Sequence, residues 1–194
     1  MYLNQNIRSI LTKAKTIEQG DILRVGLPVA GFALLTAIAA LIRIPLPFTP
    51  VPITMQTFVV LLSGVMLGGG KGSMSQIIYV SAGVIGLPIF AGMTSGIALL
   101  SGATGGFLAG FIVAPKVVGL ILGESKERGR LIIALVAGTI IIFLSGNLWL
   151  WIIMNGSIAK TLSLGFIPFL PGAVIKIGLV IAVVEAMRFR NKNN

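Results

Sequence analysis

The chain has 194 residues, of which 56% are hydrophobic and only 10% are charged, a composition far from that of soluble globular proteins. Cysteine and histidine are absent, which excludes disulfides, thiol chemistry and the usual ligands of zinc or iron. The formal charge of +10 comes from short basic clusters between long apolar runs, which indicates membrane topology rather than nucleic-acid binding. No two of the 5 acidic residues pair as a general acid and base would. We therefore expect an integral membrane protein that is not an enzyme and has no cofactor or metal.

Six apolar segments are candidates to cross a hydrocarbon core about 30 Å thick, which takes roughly 20 helical residues. They lie at about 22–43, 53–69, 74–90, 104–123, 130–153 and 166–187. An even number of spans places both termini on the side richer in lysine and arginine. Of the 15 basic residues, all but Arg43, Lys160 and Lys176 fall on that side. The sequence thus predicts one all-α membrane domain, residues 1–194, with cytoplasmic termini and a cytoplasmic N-terminal segment at 1–21.

The first predicted span carries Ala33 and Ala37 one helical turn apart. Such pairs of small residues let helices approach closely where lipid offers no hydrophobic drive to association. Two readings stay open: packing inside the bundle, or a face that docks another membrane protein.

The linker after this span reads "IPLPFTPVPIT" (44–54). Its prolines forbid helix and favour a stiff, extended path, so we predict a rigid outer lid or plug. Thr54 and Gln56 follow at the start of the second span. Each could reach a ligand or cap the helix.

The third span places the Tyr79 hydroxyl near the middle of the membrane, where it serves a ligand or belongs to a packed, internally bonded ring. The apolar, glycine-rich stretch at 86–106 follows. Irregular backbone at membrane depth is tolerated only when it is buried in protein or lines a cavity. We predict a cavity wall.

Asn147 and Lys176 are polar residues inside the last two predicted spans. The Asn147 amide both donates and accepts hydrogen bonds, which suits a cyclic urea or amide ligand and equally suits interhelical bonding. Burying the Lys176 ammonium group costs about 3 kcal/mol on insertion scales, which favours a functional role. The alternatives are partial snorkelling to the interface or bonding to carbonyls freed by Pro168 and Pro171. With three cations and no acid, the outer half attracts an anionic solute.

Four motifs together carry a family resemblance: "PFTPVPITMQTFVVLLSGVMLG" (47–68), "GLPIFAG" (86–92), "GATGGFLAGF" (102–111) and "FLPGAVIK" (169–176). They closely resemble the BioY family, the biotin-binding S components of energy-coupling factor (ECF) vitamin transporters. The resemblance implies a compact bundle of six transmembrane helices in the bacterial plasma membrane that captures biotin with high affinity for uptake. It also implies a transmembrane coupling protein and two cytoplasmic ATPase subunits as partners. Ala33 and Ala37 match the family's docking motif for the coupling protein.

The chain departs from the family pattern at Ala173 and Ala103, where family members usually have aspartate and proline. An aspartate at 173 would share a helix face with Lys176, neutralise it and accept the N–H bonds of the ureido ring. In this chain, which has alanine at 173, either the ligand supplies the anion that partners Lys176, or Asn147 and loop carbonyls together act as its polar partners. The candidate ligand-binding residues are Lys176, Asn147, Tyr79, Gln56 and Thr104. Two alternatives remain open: another small carboxylated vitamin as ligand, or a ligand-free channel or structural membrane protein.

Overall fold

Helices form nearly all of the regular structure in residues 22–125 and 127–192, which the computed structural model describes. The predicted segment at 1–21 lies outside these residues. The first helix, α1, is Leu27–Leu41, preceded by a π-helical turn at Ile22–Gly26. The later helices are α2 Gln56–Leu67, α3 Gly69–Val84, α4 Ala98–Ser101, α5 Gly105–Leu122, α6 Arg128–Ile153, α7 Ile158–Gly165 and α8 Leu170–Lys192.

Within the described residues, four helical segments are long and apolar enough to cross a membrane: Leu23–Leu41, Gly105–Leu122, Arg128–Ile153 and Ile158–Arg190. A fifth helix, α2, is apolar but shorter. The prediction of an all-helical, multi-pass membrane protein is confirmed. The count of six spans and the cytoplasmic position of the termini stay predictions.

The third predicted span, 74–90, differs from α3, which runs from Gly69 to Val84. The helix starts early because the glycines at its beginning pack against α5: a Cβ at Gly69 would lie 2.8 Å from the Lys116 carbonyl oxygen. It ends early because Gly86 has a φ of +115°, a conformation that favours glycine. The last predicted span, 166–187, is likewise divided into a 3₁₀ turn at Ile167–Phe169 and α8.

Helix α5 lies at the centre of the bundle, where it contacts α2, α3 and α6. Glycines permit these close approaches. A Cβ at Gly64 would lie 2.9 Å from Pro115 Cα, and one at Gly110 would lie 2.9 Å from Ile142 Cα. Both glycines therefore belong to close helix contacts inside the bundle.

The proline-rich linker is closed at its base by a short antiparallel ribbon of β1 (Arg43–Ile44) and β2 (Ile53–Thr54). Its far side is attached to the rest of the bundle through Thr49, whose hydroxyl donates to the Leu164 carbonyl at 2.6 Å. The two strands, the linker and the end of α7 thus form one end of the molecule, which we call the ribbon end.

Candidate functional site

A cavity of about 230 Å³ lies at the ribbon end. Its wall comes from the proline-rich linker, the loop between α3 and α5, and α2, α3, α5, α6 and α8. The loop contributes Phe90, Ala91, Thr94 and Leu99, which confirms the prediction that 86–106 forms a cavity wall. Pro50, Val51 and Pro52 place the linker against the same space.

Lys176 lies in this wall on the buried face of α8, and only 8% of its surface is exposed. The same face carries the apolar residues Ala173, Val180 and Val184. Among the described residues an ion pair joins Arg128 and Glu185 at 3.1 Å, and no carboxylate pairs with Lys176. Helix α8 has no amphipathic pattern that would fix its orientation, so packing against neighbouring helices decides which face is buried. The amine therefore faces the cavity without a counter-ion from the described part of the chain.

Tyr79 and Gln56 form a bonded pair in the cavity wall, and they are 1% and 4% exposed. Gln56 Nε2 donates to the Tyr79 hydroxyl at 2.6 Å, and this hydroxyl donates to the Ile89 carbonyl at 3.2 Å. The bonds join α2, α3 and the loop that follows α3. They occupy the tyrosine hydroxyl, and they leave the Gln56 side-chain oxygen as an acceptor with no partner among the described residues.

Aromatic rings make much of the remaining cavity wall apolar. The rings of Tyr79 and Phe90 meet edge to face with centroids 5.6 Å apart, and those of Phe107 and Phe169 are tilted at 6.3 Å. Phe90 reaches this position because it packs directly over Gly83, where a Cβ would overlap its ring. Apolar walls with a few placed polar groups are typical of small-molecule sites.

Arg43 is a second cation in the wall, and sequence reasoning did not include it among the site residues. It pairs with Thr54 in the ribbon, and its guanidinium group lies against Gly92. Gly92 has a φ of +86°, and a Cβ there would overlap the guanidinium group, so both backbone conformation and space favour glycine. The sequence feature that could have identified Arg43 as a site residue is its position beside the proline-rich linker.

The structure does not bring Asn147 to the cavity. Its Nδ2 donates to the Phe143 carbonyl at 2.8 Å and to the Gly165 carbonyl at 3.2 Å. The bond to Gly165 attaches the end of α7 to α6, while the buried Oδ1 atom has no partner among the described residues. By contrast Thr104, which precedes α5, lines the cavity together with Lys176, Tyr79 and Gln56.

Ala33 and Ala37 lie on α1, away from the cavity. Ala33 is 7% exposed and belongs to the apolar core, and Ala37 is partly buried against that core. The exposed side of α1 carries Leu34, Leu35 and Ile38. An apolar surface of this kind faces either lipid or another membrane protein.

The fold and the cavity define a class: a multi-pass helical membrane protein that encloses a small, largely apolar ligand site. The model of the BioY family matches residues 12–193. The chain is 34% identical over 160 residues to the probable biotin transporter BioY of Pyrococcus horikoshii, covering 82% of this chain and 93% of the relative. It is 38% identical over 159 residues to the biotin transporter BioY of Thermotoga maritima, covering 82% and 91%.

A solved structure is also similar, the S-component for biotin from an ECF-type ABC transporter. The TM-score is 0.79 at 28% sequence identity, and the match covers 87% of this chain and 93% of the solved chain. The chain belongs to the BioY family.

Proposed function

We propose that this protein captures biotin for uptake as the substrate-binding S component of an energy-coupling factor transporter. One observation carries the proposal: a buried lysine with no carboxylate partner in the described chain faces an aromatic-lined cavity. A bound anion or polar ligand gives this amine the partner that the described residues do not supply. Family membership and the similar biotin S-component structure support biotin as that ligand.

The cavity wall offers separate surfaces for the chemical parts of biotin. Phe107, Phe169 and their neighbours suit the thiophane ring and the valeryl chain, since apolar area is removed from water there. Arg43 and Lys176 are cations that attract the carboxylate and donate hydrogen bonds. Gln56 and Thr104 add polar atoms to the same wall.

Transport requires partners, because capture alone does not concentrate a solute. Residues 68–73, "GGGKGS", lack the glycine spacing and the serine or threonine after lysine that a phosphate-binding loop needs. We propose that a transmembrane coupling protein and two cytoplasmic ATPase subunits supply the energy. Docking on α1, with both termini cytoplasmic, belongs to this proposal and is supported by the match of Ala33 and Ala37 to the family motif. Because Ala33 itself is buried in the apolar core, we propose that the exposed side of α1 provides the contact surface.

Equilibrium binding of labelled biotin to the purified protein in detergent or nanodiscs tests the function. We expect saturable binding of one biotin per chain that unlabelled biotin displaces, whereas other carboxylated vitamins in a competition panel do not. A vitamin that displaces biotin more strongly than biotin itself would reassign the ligand. Absence of saturable binding, together with no vitamin-induced rise in melting temperature, would instead favour a protein without a ligand.

A further inference from the structure

We propose that Asn147 is a positioning residue: its amide holds the end of α7 in the place where the proline-rich linker bonds to it, and thereby sets how long a ligand stays in the cavity. Asn147 does not line the cavity, whereas the linker does. The inference rests on the proposed biotin function, because biotin is the ligand whose release is measured.

The part of the linker between the two strands, residues 45–52, covers one side of the cavity with Pro50, Val51 and Pro52. Thr49, directly before them, is buried, and its hydroxyl donates to the Leu164 carbonyl at 2.6 Å. The same hydroxyl accepts the Val51 N–H at 3.3 Å. Among the described residues, no other hydrogen bond joins this part of the linker to an element outside the ribbon. The position of the linker over the cavity therefore depends on where α7 holds the Leu164 carbonyl.

Asn147 bonds the next residue of α7. Its Nδ2 donates to the Gly165 carbonyl at 3.2 Å, and to the Phe143 carbonyl on its own helix at 2.8 Å. Gly165 is buried, and a Cβ there would lie 2.5 Å from Asn147 Oδ1 and 2.5 Å from Leu150 Cδ1, so the end of α7 packs closely on α6. Leu164 and Gly165, which we call the catch, thus bond the linker through one carbonyl and α6 through the next.

An asparagine at 147 has a cost for the fold, which indicates that its bond to the catch has a purpose. Its Oδ1 atom is buried and has no partner among the described residues. Such an atom is destabilising, and an apolar side chain of the same shape would remove the penalty. The Phe143 carbonyl lies four residues earlier on α6, where an α-helix supplies a backbone donor in any case. The bond that depends on the Asn147 side chain is therefore the one to Gly165.

A second route from Asn147 to the cavity predicts a different result. Phe166 follows the catch and meets Phe143 edge to face at 5.5 Å, and Phe143 and Phe169 both line the cavity. If Asn147 acted through these rings, the amide of Asn147 and the hydroxyl of Thr49 would have independent effects on ligand release. If it acts through the catch, the two groups share one effect. A double-mutant cycle distinguishes the two routes.

The test measures the release of labelled biotin from the purified full-length protein during a chase with excess unlabelled biotin. Asn147→Leu keeps the branched shape of the side chain without its donor, and should speed release about 2-fold to 12-fold, as expected for the loss of one neutral hydrogen bond. Thr49→Val should act in the same direction. The combined variant should release biotin within about 1.5-fold of the faster single variant, rather than at the product of the two factors. The association rate should not fall, because a looser linker does not obstruct entry.

Thr161→Val is the matched control. Thr161 is a buried residue of α7 whose hydroxyl donates to the Ser157 carbonyl at 2.9 Å, away from the catch. The change removes a hydroxyl bond of the same kind from the same helix, and the release rate should stay within about 1.5-fold of the unmodified protein. A chase follows only chains that hold biotin, so a variant that merely has a smaller folded fraction does not change the measured rate.

Each outcome decides the inference. Unchanged release in either Asn147→Leu or Thr49→Val would overturn the positioning role, and Asn147→Ala repeats the measurement if the leucine variant does not fold. Effects that multiply in the combined variant would overturn the catch as the route. Equally fast release from Thr161→Val would show a general loosening of α7 and would also overturn the proposal. Failure of the unmodified protein to bind biotin would overturn the proposed function instead, so the two failures are distinguishable.

Discussion

Replacing Lys176 by methionine should make the unliganded protein more stable and biotin binding weaker. Methionine has a similar unbranched stem without the ammonium group, so it fills the same space on the buried face of α8. Removing an unpaired buried charge relieves a desolvation cost of about 3 kcal/mol on insertion scales. Since this amine also borders a cavity, we expect a gain of about 1–2 kcal/mol in unfolding free energy.

The melting temperature should then rise by several degrees, because roughly 1 kcal/mol shifts it by about 2–4 °C for a domain of this size. Affinity should change in the opposite direction. A hydrogen bond to a charged group contributes about 1.5–3 kcal/mol, so its loss raises the Kd for biotin by about 10-fold to 150-fold.

The assay measures melting temperature without biotin and Kd by equilibrium binding, on Lys176→Met and on the control Lys160→Met. Lys160 is an exposed lysine on α7, and its replacement should change neither quantity appreciably. Stabilisation combined with weaker binding is the signature of a residue kept for its ligand rather than for the fold. A Kd that stays within about twofold in Lys176→Met would refute the reasoning.

Three further changes probe the residues that shape the cavity. Tyr79→Phe should lower unfolding free energy by about 1–3 kcal/mol in a denaturation titration, because a buried amide donor loses its acceptor; an unchanged midpoint would contradict this. Gly83→Ala should destabilise by about 1–3 kcal/mol because its methyl group overlaps an aromatic ring of the cavity wall, whereas Gly178→Ala, in open space on α8, should be neutral or stabilising. Thr49→Val removes the hydroxyl bond to Leu164 and should speed biotin dissociation about 2-fold to 12-fold in a chase experiment; an unchanged rate would exclude a role for that bond in retaining ligand.

Much of the site was predictable because polar groups are conspicuous in apolar spans. Lys176 and Tyr79 stand out on that basis, Gln56 stands out because it follows the proline-rich linker, and all three line the cavity. Burying a polar group in a membrane is costly, so each such residue has a structural or a functional reason. Which reason applies depends on neighbours from other helices. Asn147 illustrates this, since its amide bonds the Gly165 carbonyl at the end of α7, a short helix that was not predicted.

The residues missed by sequence reasoning depend on long-range packing. Arg43 was interpreted as an outer cation, and its place in the wall follows from the ribbon and from the turn at Gly92. Phe107 and Phe169 have no distinguishing pattern in segments that are apolar on all sides. The early start of α3 was missed because the glycines near Gly69 resemble a loop in sequence, although they are small residues at a close helix contact.

The central claim is that biotin occupies the cavity between Lys176 and the aromatic wall. The most direct measurement is a crystal structure with selenobiotin, in which the ring sulfur is replaced by selenium, and an anomalous map at the selenium edge. We predict one anomalous peak per chain, inside the cavity bounded by Phe107, Phe169 and Lys176. A peak at another site, with the cavity free of ligand density in the same crystal, would contradict the account.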